Sequence, residues 1–389
     1  MRRLIGTVLA ISLTPCLCLG ADSSVTVRQL DGILAPARAK RAADETIAVK
    51  IEHLDLKERL TRAALSRLSS GLGQRTVEAL ELLADRSALL DPPADEIVAG
   101  EPPSPAELRA ILKRAVAYTL TYVKELPNIV CSQTVSRFDD RGAHDRGQLR
   151  LRDTLAGELT VRDRAESFHI QNAGLIVAEA NGAGDFEQTQ LGLASSGEFG
   201  SILTQPFTGR AAFAWRRWET VDGKRVAVVG YSVRLKESRV TVSWCCGEEG
   251  QGRERLSQQA AFRGEMSIDP ASGAILRITQ RAVDLPDEFP VGQAQSAVEY
   301  LPVELGDGSF LLPARSVSFM EALPPQIGPW GLGHVGGVPP AARGYAHYLN
   351  RLEYRNYHRF AAESNLTFDT APETPPAPAP RPPGSAKPR

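Results

Sequence analysis

Apolar positions along the chain follow a helical period over residues 22–91 and a strand period further on. In the first region, apolar side chains three or four residues apart form short stripes, and each stripe predicts one amphipathic helix. The stripes are Ile47, Ile51 and Leu54; Leu60, Ala64 and Leu68; and Val77, Leu80, Leu83 and Ala84. Asp44 stands just before the first stripe and is predicted to cap its helix. Helices this short are unstable alone, so we expect them to pack on each other or on a neighbouring element.

A proline-rich, acidic segment, residues 92–103, comes next and is predicted to be a linker. Ser104 then occupies an N-cap position, Pro105 the first helical position, and Glu107 the position that completes a capping box. Apolar residues line one side of the turns that follow. We therefore expect a helix over residues 104–126 that covers an apolar surface.

The chain then alternates between apolar and polar side chains, as strands with one buried and one solvated face do. Asp222-Gly223 is typical of a tight hairpin turn, and residues 269–273 reverse the chain between two further alternating runs. Residues 198–207 interrupt the alternation and are predicted to be a short helix. Successive strands joined by short turns predict an antiparallel meander. The predicted fold class is α+β: the short N-terminal helices, then residues 104–370 as a half-barrel-like antiparallel sheet wrapped on a helix.

The first 21 residues have the order of a secretory signal peptide. Arg2 and Arg3 are followed by an uncharged apolar run over residues 4–19, and then by the small residues Gly20 and Ala21 at a cleavage site. The run is shorter than the roughly 20 residues that a membrane-spanning helix needs, which disfavours the alternative of a permanent N-terminal anchor. We therefore expect a periplasmic or secreted protein that does not span the membrane after cleavage.

Two cysteines at the end of the apolar run, Cys16 and Cys18, raise the alternative of a lipid anchor. A lipid-attachment site requires a small residue before its cysteine, whereas Pro15 and Leu17 stand at those positions. The sequence therefore favours cleavage and release over lipidation.

Composition and charge narrow the class of partner. Hydrophobic residues make up 42% of the chain, which is enough for a core. The formal net charge is -1, and acidic and basic residues are interspersed. Nucleic-acid binding proteins usually carry a basic face, so nucleic acid is not an expected partner. The proline-dominated residues 371–389 are predicted to be a disordered tail.

Three cysteines remain after signal cleavage: Cys131, Cys245 and Cys246. In an oxidising compartment, a disulfide between Cys131 and one of the adjacent pair is a reasonable prediction. Three alternatives stay open: no bridge with buried free thiols, a vicinal bridge, and a reactive leftover thiol. The sequence has no CxxC pattern and no histidine at ligand spacing beside Cys245, so we expect no metal site.

Catalytic and nucleotide-binding motifs are absent from the sequence. It has no G-x-S-x-G elbow, no H-E-x-x-H pair and no glycine-rich phosphate loop ending in Lys-Ser or Lys-Thr. We therefore expect no catalytic residue, no cofactor and no enzyme activity. A thiol-dependent enzyme that uses one of the three cysteines is the alternative.

Two sets of residues are candidates for binding. Aromatic side chains are concentrated in the predicted strands, where a curved sheet either packs them as core or leaves an apolar cavity. The candidate ligand-binding residues are Phe213, Trp215, Trp218, Tyr231, Trp244, Phe262 and Tyr300. A loop rich in glycine and proline also carries apolar side chains suited to contact with lipid or a partner protein. These interaction-loop residues are Ile327, Trp330, Leu332 and Val335.

The strand-turn-strand segment over residues 264–278, GEMSIDPASGAILRI, resembles a hairpin of the outer-membrane lipoprotein carrier superfamily. That superfamily includes the LolA and LolB carriers and the envelope-stress sensor RseB. The Asp222-Gly223-Lys224 turn and the Gly-Asp-Gly turn before Phe310 are similar as well. The resemblance implies an open half-barrel that holds acyl chains or lipoprotein tails without catalysis.

Over nearly its full length the chain also resembles a group of uncharacterised exported bacterial proteins. The matching segments are residues 58–60, 90–93, 126–128, 195–200 and 354–360. This second resemblance implies export and brings no activity with it.

These patterns together predict a non-enzymatic periplasmic or cell-envelope protein. We expect it to bind an apolar ligand, a lipid or lipoprotein, or a protein segment on its curved sheet. The alternative is an envelope scaffold that contacts other proteins through the loop around Trp330 and the proline-rich tail.

Overall fold

Four short helices form the N-terminal region, three of them at the positions that the apolar stripes predict. The computed structural model describes residues 24–140, 148–173, 197–208, 210–244, 256–306, 308–323 and 344–360. The helices are α1 (Val27–Arg38), α2 (Asp44–Glu52), α3 (Arg62–Ser69) and α4 (Gln74–Arg86), and the two-residue strands β1 (Ser24–Val25) and β2 (Asp55–Leu56) pair beside them. Their stripes meet in one core, in which Leu30, Leu34, Ile51, Leu68 and Leu80 are fully buried. Mutual burial therefore stabilises helices that are too short to be stable alone.

Asp44 does not cap its own helix as the sequence predicts, because its carboxylate caps a different one. Asp44 is the first residue of α2, and its Oδ2 and Oδ1 accept hydrogen bonds from the backbone N–H groups of Arg75 and Thr76 at 3.0 and 3.1 Å. Those N–H groups lie in the first turn of α4, where they have no intrahelical acceptor. The N-cap of α4 is Gly73, and a β-carbon there would collide with the Asp44 carboxylate. The side chain of Asp44 in α2 therefore caps α4 in place of an N-cap side chain at position 73.

The rest of the described chain contains most of the strands. Their bounds are β3 (Ile97–Val98), β4 (Ile129–Asp139), β5 (Arg150–Arg162), β6 (Ala165–Ala173), β7 (Ala212–Val221), β8 (Lys224–Val233), β9 (Thr241–Trp244), β10 (Leu256–Gln259), β11 (Ala261–Ile268), β12 (Ile275–Val283), β13 (Val291–Leu305), β14 (Gly308–Ala322) and β15 (Ala346–Arg359). Eleven of them form one sheet in the spatial order β3-β7-β8-β11-β12-β13-β14-β15-β4-β5-β6, and β9 and β10 pair separately. The edge strands β3 and β6 do not pair with each other, so the sheet is open.

The predicted α+β class and antiparallel meander are confirmed. All neighbouring strands of the large sheet are antiparallel, and β15 joins the strands of the second half to β4. At the β7–β8 hairpin, Asp222 and Gly223 have φ values of 50° and 77°, the left-handed conformation that a two-residue turn requires. The segment predicted as a linker contributes the edge strand β3, whose two residues pair with Trp218 and Glu219 of β7.

Two helices cover one face of the sheet, which we call the inner face. The first is α5 (Pro105–Glu125), whose bounds match the prediction to within a residue. Its capping box is complete, because the Ser104 hydroxyl accepts from the Glu107 N–H at 3.3 Å and the Glu107 carboxylate accepts from the Ser104 N–H at 2.7 Å. The second is α6 (Ser201–Thr208), at the predicted short helix.

The N-terminal helices pack on the opposite side of the sheet, the outer face. Phe138, Val317 and Leu349 are buried there against Leu82 of α4 and the nearby Ala88. Strand alternation alone predicts a solvated outer face, and over these strands that expectation is wrong. Residues that the pattern places in water are covered by helices instead.

Charged side chains line this helix–sheet contact and are buried with it. Asp85 of α4 is 3% exposed and accepts hydrogen bonds from Arg315 and, at 2.6 Å, from Nε of Arg351. Arg351 also pairs with Glu81 at 3.0 Å. A second buried pair joins Arg59 to Glu219 of β7. We call these six residues the charged seam: Arg59, Glu81, Asp85, Glu219, Arg315 and Arg351.

Candidate functional site

The inner face of the sheet is apolar across its width. Strands from both halves of the meander contribute buried side chains to one cluster, among them Val135, Leu159, Val229, Met266, Val298 and Leu352. From the other side, α5 adds Ile111, Ala115 and Tyr122. The sheet and α5 therefore enclose a continuous hydrophobic layer.

Residues 197–208 cover the inner face beside α5, and we call this segment the plug. Phe199 and Leu203, each 3% exposed, insert into the inner-face cluster. The Phe199 ring meets the rings of Tyr354 and Tyr357 edge-on, at centroid distances of 5.6 and 6.3 Å. Two apolar anchors therefore fix a short segment to the sheet.

A glycine makes the turn into the plug possible. Gly197 has a φ of 107°, a conformation that residues with a β-carbon rarely adopt. A β-carbon there would also collide with the Ser201 hydroxyl. This turn allows the backbone N–H groups of Gly197 and Phe199 to face the neighbouring strand β6.

Glu166 of β6, which is partly buried, accepts hydrogen bonds from both of these N–H groups. Its Oε2 accepts a hydrogen bond from the Gly197 N–H at 3.1 Å, and its carboxylate also accepts from the Phe199 N–H. Burial raises the pKa of Glu166, and the two backbone hydrogen bonds oppose that rise. The carboxylate therefore ties the start of the plug to β6 through charge-assisted hydrogen bonds.

Glu198 lies between those two residues, and its side chain enters the core. The residue is 1% exposed, and neither carboxyl oxygen makes a regular hydrogen bond within the described ranges. Burial raises the pKa of Glu198 well above its ordinary value, and the negative charge of Glu166 raises it further. The hydroxyls of Ser316 and Tyr354 face the carboxyl and partly oppose the rise. Glu198 therefore keeps its proton at pH values at which an exposed glutamate is ionised.

Four tyrosines lie around the two glutamates: Tyr122, Tyr300, Tyr354 and Tyr357. The Tyr300 hydroxyl donates to the Glu198 carbonyl at 2.8 Å, and the Tyr357 hydroxyl donates to the Pro313 carbonyl at 2.5 Å. Burial raises the pKa of all four phenols, which stay neutral over the physiological range. The glutamates thus have a polar but uncharged surrounding inside an apolar layer.

Several polar atoms beside this group are buried without a hydrogen-bond partner in the described part of the chain. They are Thr119 Oγ1 and Tyr122 OH of α5 and Gln133 Oε1 of β4. Because buried polar atoms are normally paired, this part of the inner face departs from a core built for stability alone.

Four of the seven aromatic residues that the sequence suggests as ligand contacts are deeply buried, but not in one place. Tyr231, Phe262 and Tyr300 lie in the inner-face cluster. Trp244 belongs to a separate cluster and donates its indole N–H to the Leu323 carbonyl at 3.1 Å. The structure therefore brings three of the four together.

The other three aromatic residues are half-buried on β7, at the margin of the inner-face cluster. A bulge after Trp215 places Trp215 and Trp218 on the same side of the strand, with ring centroids 4.8 Å apart. Phe213 packs beside them against Phe207 of the plug, at 5.9 Å. These residues form an aromatic rim, Phe213, Trp215 and Trp218, where the apolar layer meets the surface.

Cys131 is buried on β4 beside Tyr357. Burial raises the pKa of the Cys131 thiol to about 12, and the Tyr357 hydroxyl partly opposes this. The thiol is therefore protonated at neutral pH. Cys245 and Cys246 lie outside the described residues, so their pairing with Cys131 stays a prediction.

Other features suggested by the sequence also fall outside the described residues. They are the signal peptide over residues 1–21, the tail over residues 371–389, and the loop residues Ile327, Trp330, Leu332 and Val335.

The glutamate pair is a feature that sequence reasoning misses. Glu166 could have been noticed from the sequence, because it lies two residues before the buried Phe168 on the same strand. Side chains two residues apart point to the same face, so the pattern places an acidic residue at an inward position. Glu198 leaves no such signal, since its serine- and glycine-rich surroundings predict only a loop.

A cavity of about 130 Å³ lies at the charged seam, on the other side of the sheet. It is lined by Arg59, Arg62, Glu96, Arg277 and Glu299 among others. Sites for drug-sized ligands usually measure about 300–1,000 Å³ and are mostly apolar. This cavity is smaller than such sites.

The described residues contain no group of three or more His, Cys, Asp or Glu side chains placed to hold a metal ion. Within those same ranges, no helix combines the length and the apolar character needed to cross a membrane.

The described chain is thus an α+β protein with an open, half-barrel-like sheet and helices on both faces. No family model and no curated protein matches it. Two solved structures are similar to it, each with 10% sequence identity. One is a LolA superfamily protein from Nitrosomonas europaea; the match covers 66% of this chain and 94% of that protein, with a TM-score of 0.30. The other is a DUF1329 family protein from Desulfovibrio piger; the match covers 68% of this chain and 98% of that protein, with a TM-score of 0.31. Similarity at this level carries no function to this chain.

Proposed function

We propose that the protein is a non-catalytic, exported binding protein of the cell envelope. Its ligand is an apolar chain, from a lipid or a lipoprotein, and it binds on the inner face of the sheet in place of the plug. The observation that carries this proposal is the cover of the inner face: beside α5, the apolar layer is closed by a short segment with two apolar anchors.

The plug and a bound acyl chain gain comparable free energies from burial on the inner face. Burying a Phe or Leu side chain contributes about 1.5–3 kcal/mol, and each methylene of a bound chain contributes about 0.8 kcal/mol. An acyl chain of roughly eight carbons or more therefore matches the burial of Phe199 and Leu203 together. A ligand of that class displaces the plug without any change in the sheet.

The aromatic rim supplies a path to this layer. Phe213, Trp215 and Trp218 are half-buried and continue the inner-face cluster to the surface. Trp218 is held in place from both sides, because its indole N–H donates to the Glu101 carbonyl at 2.9 Å and the Arg225 guanidinium lies 4.0 Å from its ring centroid. Such fixed aromatic side chains suit contact with an apolar chain.

The state of Cys131 supports a non-catalytic role. A nucleophilic cysteine acts as a thiolate, whereas this thiol has a pKa of about 12 and is buried. The alternative of an envelope scaffold depends on the Trp330 loop and the tail, and stays a prediction. An envelope location follows from the predicted signal peptide over residues 1–21.

Weakening the plug tests the proposal. Phe199→Ala removes one anchor, so the open state is more populated and the apparent affinity for ligand rises. We expect a dansylated fatty acid to bind the variant about 10-fold or more tighter than the wild type, because about 1.4 kcal/mol corresponds to a tenfold change. Fluorescence titration measures this, and Leu203→Ala is expected to act in the same direction.

The matched control is Leu30→Ala, which removes a fully buried side chain from the core of the N-terminal helices. It lowers stability without touching the plug, and its affinity for the probe should equal that of the wild type. Absence of probe binding in the wild type and both plug variants, with each protein folded, would contradict the proposal.

A further inference from the structure

We propose that Glu198, beside Glu166, makes the plug a proton-dependent cover of the inner face. The plug is closed while Glu198 holds a proton and is released when Glu198 ionises. This inference rests on the proposed function for its purpose, but the closing of the plug is measured without any ligand.

The position of Glu198 in the plug carries the inference. The residue stands between Gly197, which donates to Glu166, and Phe199, which inserts into the core. Its side chain cannot reach water while Phe199 is seated, and it is 1% exposed. Ionising Glu198 therefore requires either a buried carboxylate or withdrawal of this end of the plug, and withdrawal restores its hydration.

The groups that face Glu198 do not offer it a counter-charge. Around the glutamate pair, the packed elements place Glu166 of β6, Tyr300 of β13 and Tyr354 and Tyr357 of β15 next to Glu198, and Tyr122 of α5 and Cys131 of β4 next to Glu166. All of these are acids, and Ser316 of β14 adds only a hydroxyl. His169 lies on the same strand as Glu166, but it is exposed and contacts Ser167. An ionised Glu198 would thus meet the negative charge of Glu166 with no described cation beside it.

The direction of the pH effect follows from this geometry. The pKa of Glu198 is raised in the closed state, so the closed state binds more protons than the open state does. The stability of the closed state is therefore fully present below the pKa of an exposed glutamate and falls as the pH rises toward the raised value. The tyrosines and Cys131 stay protonated throughout, because burial raises their pKa values as well.

Hydrogen exchange of the plug amides tests the inference on the full chain. After correction for intrinsic exchange, the opening constant of residues 197–208 in the wild type should rise with pH, by at most about tenfold per pH unit. In Glu198→Gln, which keeps the shape and loses the titration of residue 198, the opening constant should depend much less on pH, because only Glu166 is left to titrate. Glu166→Gln removes the repelling charge and should reduce the pH dependence.

Glu158→Gln on β5 is the matched control, because Glu158 is exposed and should leave the wild-type pH dependence unchanged. Circular dichroism confirms that each variant is folded, and Glu166→Gln provides a second reading if Glu198→Gln is not. A pH-independent opening constant in the wild type, or an unchanged pH dependence in Glu198→Gln, would overturn the inference. Probe binding together with pH-independent opening overturns the proton switch alone, whereas pH-dependent opening without probe binding overturns the proposed function alone.

Discussion

Asp85→Ala is expected to lower the free energy of unfolding by about 3–5 kcal/mol, the usual effect of breaking a buried ion pair from one side. Asp85 accepts hydrogen bonds from both Arg315 and Arg351, and its side chain is fully buried beneath the N-terminal helices. Without it, two arginines of the outer face stay covered and lose their shared carboxylate. Chemical denaturation of wild type and variant measures the difference.

Glu81→Ala is the matched control on the same helix. The Glu81 carboxylate pairs with Arg351, and the Glu81 side chain is 38% exposed, so solvent screens the pair. A partly exposed ion pair contributes at most about 1 kcal/mol, and this variant should stay within that range. Equal effects of the two variants would show that the charged seam does not hold the helices on the sheet.

Phe262→Ala is expected to destabilise the protein by about 3–5 kcal/mol, as phenylalanine truncation in a packed core does. Phe262 is 1% exposed and meets Tyr231 edge-on, with ring centroids 6.0 Å apart. Its strand lies between β8 and β12 in the centre of one half of the sheet, so the neighbours cannot close the space left behind. Thermal and chemical unfolding both report the loss.

Phe213→Ala distinguishes the contribution of the aromatic rim to binding from the contribution of the packed core to stability. Phe213 is half-buried on β7, and its truncation should cost clearly less stability while weakening the binding of the dansylated fatty acid. If Phe213→Ala destabilised the fold as much as Phe262→Ala and left probe affinity unchanged, the aromatic rim would have no part in binding.

Local patterns predict much of this fold. The capping box at Ser104 and Glu107 and the left-handed turn at Asp222-Gly223 each lie within a few residues of sequence, so their chemistry is readable directly. The strand alternation likewise defines the inner face, because a period of two fixes which side chains share a side. Helix α5 and the antiparallel order both follow from such short-range signals.

Contacts between distant segments are not readable in the same way. Asp85 and Arg315 are 230 residues apart, and each one alone looks like a solvated charge on an amphipathic element. Helix α4 and the outer face of the sheet, both of which the sequence predicts to be solvated, meet there and bury their charges in pairs. Asp44 is a similar case, because its carboxylate caps α4 instead of its own helix.

The plug shows the same limit at the candidate site. The sequence predicts a short helix near residue 200 but not what it covers, since its apolar side chains fit any neighbouring surface. The burial of Glu198 depends on strands that are far away in the chain. A chemical group that decides the behaviour of the site therefore appears only once the sheet has been assembled.

Photoaffinity labelling tests most directly whether an apolar chain occupies the inner face. A fatty acid with a diazirine at its chain end is bound to the full chain, activated by light, and mapped by peptide mass spectrometry. Labels are predicted on inner-face side chains such as Val229, Val298 and Leu352, and an excess of unlabelled fatty acid should remove them. Labels confined to exposed surfaces or to the N-terminal helices, or labels that unlabelled fatty acid does not compete away, would contradict the account.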